Sequence, residues 1–456
     1  MTTTELDAEV RRERRAWYFY DWANSGYVTT VGTVLFAPYL TAVAEQAACG
    51  RTGTDDNPCR TNLHVFGIAV SPGSLAFYVV TVATLASALL LPVVGAIADR
   101  SPRKKVWMAG FAWVGATAAC CMVFVGGGRW ALGALLLLAG NICLGASLVV
   151  YDAILCDIAG PDERDAVSSQ GWALGYLGGF ILLALNLGVV LGHDAFGLGK
   201  STAVRLSLLS AGLWWGLFTL IPFARLRNRA PLGAEKVAGG NIVRQSFGQL
   251  ARTLSHARAY PVTLLFLVSY LFFNDGIQTV ISVSSTYGEK QLGFATEVLI
   301  ATILMVQLVA FFGALVFGRA AARYGSRRTI LAGLVIWIGL VVFGFMLPAK
   351  QVAPFLVMGV GIGIVLGGTQ ALSRSLFSQL IPRGREAEYF SLYQAGERGT
   401  SWLGTLVFGL VHQITGSYRP AIVALALFFV VGFALLVRVD VRRGITDAGN
   451  DQPAVV

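Results

Sequence analysis

Charge is scarce in this chain. Only 13% of its 456 residues are Asp, Glu, Lys or Arg, about half the ~25% share of an ordinary soluble domain. A large soluble core is a poor explanation, because the polar residues cluster between apolar runs instead of alternating within them. There is no Walker A loop, which excludes ATP drive within the chain, and Gly126-Gly127-Gly128 lacks the strand–helix setting of a nucleotide loop. No Gly-x-Ser-x-Gly nucleophile pattern and no Ser/His/Asp spacing occurs. The four histidines, His64, His193, His256 and His412, are isolated, and none stands near cysteines at zinc spacing. These absences predict a protein that is not an enzyme and holds no metal or cofactor. A cleavable signal peptide is also missing. The first sixteen residues are polar and charged, and the first apolar run is too long for a signal core.

What the chain has in abundance is apolar length. Hydrophobic residues make up 55%, in runs of about 18 to 25 residues, enough to cross ~30 Å of hydrocarbon. Fifty-three glycines suit close helix packing in lipid. Twelve spans are predicted, near 17–44, 73–98, 106–128, 130–155, 169–192, 204–224, 260–285, 296–318, 329–348, 352–377, 388–415 and 419–437. Helix is the default for each, since backbone in lipid must satisfy its own hydrogen bonds.

Loop charge sets the orientation. Of 35 basic residues, 25 fall on one side of this alternating map and 8 on the other, with Arg374 and Arg398 within or at the rim of spans. The basic side and both termini are expected in the cytoplasm of a plasma (inner) membrane protein. The net charge of +10 then reflects attraction to the bilayer, with no nucleic acid as partner. The division is a segment 1–16, a six-helix bundle 17–224, a central loop 225–259, a second bundle 260–437 and a tail 438–456. In the central loop, Val243, Phe247, Leu250 and Leu254 recur at helical spacing, which fits a helix on the membrane face or a solvated linker. The tail from Ile445 onward is polar and expected to be disordered. Cys120, Cys121, Cys143 and Cys156 lie in or beside spans as packing residues. Cys49 and Cys59 flank an outer polar loop, and that oxidising side permits a disulfide.

The spans come in two related sets. Pro161-Asp-Glu-Arg164-Asp-Ala166 reappears as Pro382-Arg-Gly-Arg385-Glu-Ala387, 221 residues later. A glycine-led basic loop begins at Gly95 and again at Gly318, 223 residues later. Nearly equal offsets in unrelated markers indicate an internal duplication, the way secondary transporters build a site that opens to either side.

Gly95-Ala-Ile-Ala-Asp99-Arg100-Ser-Pro-Arg103-Lys104-Lys105 resembles the loop signature between helices 2 and 3 of the major facilitator superfamily. The second copy, Gly318-Arg-Ala-Ala-Ala322-Arg323-Tyr-Gly325-Ser-Arg327-Arg328, has Ala322 in place of the acid. Tyr20-Asp21-Trp22-Ala23-Asn24-Ser25, Asn274-Asp275-Gly276-Ile-Gln278-Thr279 and Gln370-Ala-Leu-Ser373-Arg374-Ser375 resemble the "unknown major facilitator" branch, whose eukaryotic relatives include vacuolar amino-acid effluxers. The resemblance implies an all-α integral membrane fold of twelve transmembrane helices in two pseudo-symmetric bundles. It also implies alternating access and an amino-acid solute.

Ionisable groups inside spans are costly and mark function. Asp275, past mid-depth in span 7 beside Asn274 and Gln278, is the leading proton site; its alternative is an ion pair with an arginine of another span. Glu397 and Arg398 lie near mid-depth in span 11 with Gln394, and Glu397 is the second proton candidate. Asp21 and Asn24 share a face of span 1, for transport or for an interfacial contact. Arg374, with Gln370 one turn deeper, is either a snorkelling anchor or a grip for a substrate carboxylate when the cavity faces inward. Asp152 and Asp157 are expected in a gate network with Arg100, Arg103 or Arg164, alongside Gly95, Asp99, Lys104, Arg323 and Arg385. The expected function is secondary transport of a small polar or zwitterionic solute by a monomer in the lipid bilayer, proton-coupled through Asp275 or Glu397. An exporter of amphiphilic drugs or lipids and a non-transporting receptor or scaffold are the rivals.

Overall fold

The computed structural model describes residues 3–53, 59–65, 67–231, 259–399 and 401–456, without the side chains of residues 3–7, 296, 398, 399, 401 and 402. Eleven described helices are long and apolar enough to cross a membrane. A twelfth pass, span 11, is carried by Glu386–Gly399 and Ser401–Thr415 on either side of residue 400. Spans 2 to 6 are Leu75–Arg100, Lys104–Cys121, Trp130–Ile158, Arg164–Leu191 and Lys200–Phe218. Spans 7 to 10 are Pro261–Thr286, Thr296–Tyr324, Ser326–Met346 and Val352–Leu380. Span 12 is Tyr418–Ala424 followed by Ala426–Val437.

Span 1 departs most from its expected limits. Helix begins at Thr3 and runs through Cys49, so most of the polar segment 1–16 is helical. Its middle, Val28–Leu35, is π-helical. Six of those eight residues are β-branched and crowd the preceding turn. Thr33 Oγ1 reaches back five residues to Val28 O at 3.0 Å, matching the wider π spacing.

The two halves meet along two seams, span 2 with span 11 and span 5 with span 8. Cross-half hydrogen bonds gather at the basic-loop end: Arg164 Nη1 to Ser378 O, Ser168 Oγ to Ala371 O, Ser326 Oγ to Asp165, and Ala387 N to Asp99. At the other end, Ser401–Thr415 packs on spans 7 and 12 of its own half. Phe36–Cys49 likewise packs on spans 2 and 4 of its own half. The molecule is therefore closed on its basic side.

The disulfide that the sequence permits between Cys49 and Cys59 is formed, and the outer loop after span 1 also carries a hairpin, Leu63–Val65 paired with Ile68–Val70. One part of the map needs correcting. The tail is ordered, not disordered. Asp440 caps a helix at Val441–Asp447 by accepting from Arg443 N at 3.1 Å. Val441, Gly444, Ile445 and Ala448 bury one face against spans 7 and 10, an i, i+3, i+4, i+7 stripe within a polar composition. The residues read as an interfacial helix or linker, Val243 to Leu254, lie outside the described residues.

Candidate translocation site

Arg374 is the hub of the molecule's centre and is only 2% exposed. Its Nε donates to Ser168 Oγ at 2.9 Å, and Nη2 to Ser168 O and Asp21 Oδ2, both at 3.1 Å. Nη1 reaches Asp152 Oδ1 at 3.3 Å and Asp21 Oδ1 at 3.5 Å. The rings of Trp17, Tyr151 and Trp172 surround the guanidinium, with Trp17 closest at 4.8 Å. The second oxygen of Asp152 accepts from Gln394 Nε2 at 2.9 Å. Spans 1, 4 and 5 of the first half are thereby tied to spans 10 and 11 of the second.

The snorkelling expectation for Arg374 fails in this conformation. It does not snorkel, because side chains tilt toward a helix's N-terminus, and span 10 runs toward the basic face. Arg374 leans back into the interior. The carboxylate grip belongs to an inward-facing cavity, a different state from this one, in which all three nitrogens of Arg374 are engaged within the protein. Asp152 pairs with Arg374 and not with the basic loops, whereas Asp157 pairs with Lys104 at 3.1 Å. Two buried carboxylates share one guanidinium, an arrangement that carries one excess negative charge whenever both are ionised.

Asp275 sits apart from this cluster. Its Oδ2 accepts from Gly404 N at 2.9 Å, and Oδ1 has no hydrogen bond. No cation pairs with it among the described residues, so the ion-pair alternative does not hold there. Neighbouring Asn274 points elsewhere, its Oδ1 accepting from Gln370 Nε2 at 3.0 Å. Gln278 is half-buried. Asn24 donates into its own helix at Tyr20 O, 2.7 Å away. Glu397 is half-buried, within electrostatic reach of Asp152, Tyr176, Tyr270 and Tyr393. The Tyr270 and Tyr393 rings stack with centroids 4.2 Å apart. The side chain of Arg398 lies outside the described residues.

The seams explain the repeated loop. A Cβ on Gly95 would lie 2.4 Å from Ala387 O, so only glycine lets span 2 meet span 11 there. Asp99 then accepts from Ala387 N at 2.9 Å and Glu388 N at 2.8 Å. It caps the start of span 11 from the opposite half, where the helix leaves unpaired N–H groups. In the second seam Gly318 meets Ser169 in the same way, at 2.7 Å from a built Cβ. Ala322 offers no carboxylate, and the acid comes instead from Asp165 of span 5, which accepts from Ser326 and Ser375. Lys104 lies 4.0 Å from Glu386. Arg385 pairs with Glu388 at 2.9 Å, Arg103 N donates to Ser101 Oγ, and Arg323 lies over Tyr324. Arg100 also has a partner.

The family model "Vacuole effluxer Atg22 like" matches residues 9–449. The chain belongs to this Atg22-like family. An "Uncharacterized MFS-type transporter YxiO" of Bacillus subtilis (strain 168) is 28% identical over 97% of this chain and 98% of that protein. "Autophagy-related protein 22" of Kluyveromyces lactis is 25% identical over 96% of each. Among solved structures, the proton:xylose symporter XylE has a TM-score of 0.69 at 12% identity, covering 94% of this chain and 95% of that one. FucP in its outward conformation has a TM-score of 0.65 at 13% identity, covering 93% and 97%. The Atg22-like chain therefore has the major facilitator fold and is a multi-pass membrane transporter by family.

Sequence reasoning missed several members of this Atg22-like chain's centre. Asp165, Ser168, Trp17 and Tyr151 all contribute to the cluster or to a seam. One signal was available: Asp165 and Glu386 occupy equivalent positions of the repeated Pro-x-x-Arg-acid-Ala run.

Proposed function

We propose that the chain is a proton-coupled secondary transporter of a small zwitterionic solute, an amino acid by family likeness. It sits in the plasma membrane with its basic loops in the cytoplasm. The observation that carries this reading is the Arg374 group, in which one cation holds two carboxylates across the boundary between halves. A buried excess charge is costly in lipid and calls for a compensating proton. Rocking the halves toward an opening on the basic side separates Asp21 and Asp152 from Arg374, so the proton's environment changes with conformation. That property is what coupling requires. Asp275 lacks it, since its partner Gly404 moves with the same half. The coupling proton is therefore shared by Asp21 and Asp152 in preference to Asp275. Glu397, beside Tyr176, Tyr270 and Tyr393, has the chemistry to receive the solute's ammonium group.

The test is uptake into proteoliposomes. A thermal-shift screen at two pH values first identifies a solute. Asp152→Asn is expected to lose uptake driven by a pH gradient while keeping exchange of labelled for unlabelled solute. Loss of both, or retention of gradient-driven uptake, contradicts the assignment.

A further inference from the structure

The segment after span 12 runs beneath the closed face and touches both halves. Asn450 Nδ2 donates to Gln379 O and Ile381 O, each at 2.8 Å, covering carbonyls at the end of span 10. Arg383 pairs with Asp451 at 2.5 Å and donates to Asn450 Oδ1 at 3.3 Å. Three residues later the chain has crossed the boundary: Ala454 N donates to Asp162 Oδ1 at 2.6 Å. Val456 then rests on Gly325, where a Cβ would come within 2.9 Å of it.

The two anchor residues are related. Asp162 and Arg383 are the second residues of the repeated motif, separated by the same 221-residue offset. One copy presents an anion and the other a cation, and residues 450–454 engage both. These loops approach each other on the closed face, where Gln379 Nε2 also reaches Pro161 O at 3.5 Å.

We infer that residues 450–456 form a strap that holds the basic face shut and sets the balance between the two conformations. The strap is fixed on the second half by a buried helix face and by Arg383. Among the described residues it grips the first half through the exposed bond to Asp162. That bond is its release point, because the two loops must part when the basic side opens. The inference needs only the fold, so its failure is separable from failure of the proposed solute or coupling proton.

Distances between spin labels at Pro102→Cys, in the loop before span 3, and Arg328→Cys, in the first turn of span 9, both exposed and on opposite halves, test this in the full transporter. Deleting residues 450–456 is expected to raise the long-distance, open population roughly fivefold, the effect of losing one or two exposed hydrogen bonds. Asp162→Ala, which leaves the segment in place, is expected to shift it in the same direction by roughly half as much on a logarithmic scale. An Asp162→Cys/Ala454→Cys cross-link is expected to remove the open population, and reductant to restore it. An unchanged distribution in the folded deletion or Asp162→Ala protein overturns the strap. So does a cross-linked protein that still reaches the long distance.

Discussion

Two buried acids in this transporter live under opposite conditions. Asp152 touches an arginine and a glutamine from the other half. Asp275 touches one backbone N–H of its own half and leaves an oxygen without a hydrogen bond. By depth and solitude Asp275 is the more conspicuous residue in the sequence. The structure teaches that solitude and coupling are different properties. A group couples to rocking only when its neighbours change between states, and neighbours within one rigid half do not.

The comparison is broken most severely by removing its cation. Arg374→Ala leaves two carboxylates buried without a counter-charge, and about 3–5 kcal/mol of stability is expected to go with it. A melting curve in detergent reads the loss. Asp275→Asn, measured alongside, is expected to fall by less than half of that. Arg374→Lys is expected to recover little, since an ammonium cannot reproduce a planar fork that serves Asp21, Asp152 and Ser168 together.

The seams around the cluster offer a gentler probe. Gly95→Ala drives a methyl group into the backbone at Ala387, whereas Gly318→Ala meets a serine side chain. Backbone cannot yield, so Gly95→Ala is expected to open the basic face more. Cys156 is a native reporter: its Sγ contacts Ser378 O across the boundary at 3.9 Å. Its alkylation, with Cys120, Cys121 and Cys143 replaced, is expected to quicken in the order wild type, Gly318→Ala, Gly95→Ala.

The outer disulfide lies far from the cluster and closes a short loop, with a sequence separation of 10. Cys49→Ser is expected to cost about 2–3 kcal/mol and to leave gradient-driven uptake intact. The smallest effect belongs to Glu163, outside the spans. Its hydrogen bond to Arg14 holds its carboxyl below the usual range. A depressed folded-state value means the contribution is present above the unfolded-state value and is lost as pH falls through the folded one. Wild type and Glu163→Gln are thus expected to differ slightly in melting temperature at neutral pH and to converge in acid.

Much of this architecture was legible in the chain. Runs of apolar residues located the passes because lipid leaves the backbone few options. The repeat placed Gly95 and Gly318 in matching roles, and Asp99 stood in a recognisable loop. Convergence was not legible. Asp21 and Arg374 are 353 residues apart, and no periodicity within one helix says which faces of spans 1, 4, 5 and 10 turn inward. Reading Asp152 with the nearby basic loops favoured sequence proximity over helix direction. The tail misled because its composition is polar overall, while four small or apolar residues on one face were enough to dock it. The missing acid at Ala322 concealed a substitution in space, with Asp165 supplying from span 5 what the loop lacks.

Proton counting per solute molecule, with a pH-sensitive dye inside proteoliposomes, separates the two acids in one experiment. About one proton is expected to accompany each solute in the wild type and in Asp275→Asn, and none in Asp152→Asn. Coupling that survives Asp152→Asn and disappears in Asp275→Asn would contradict a proton shared across the Arg374 cluster.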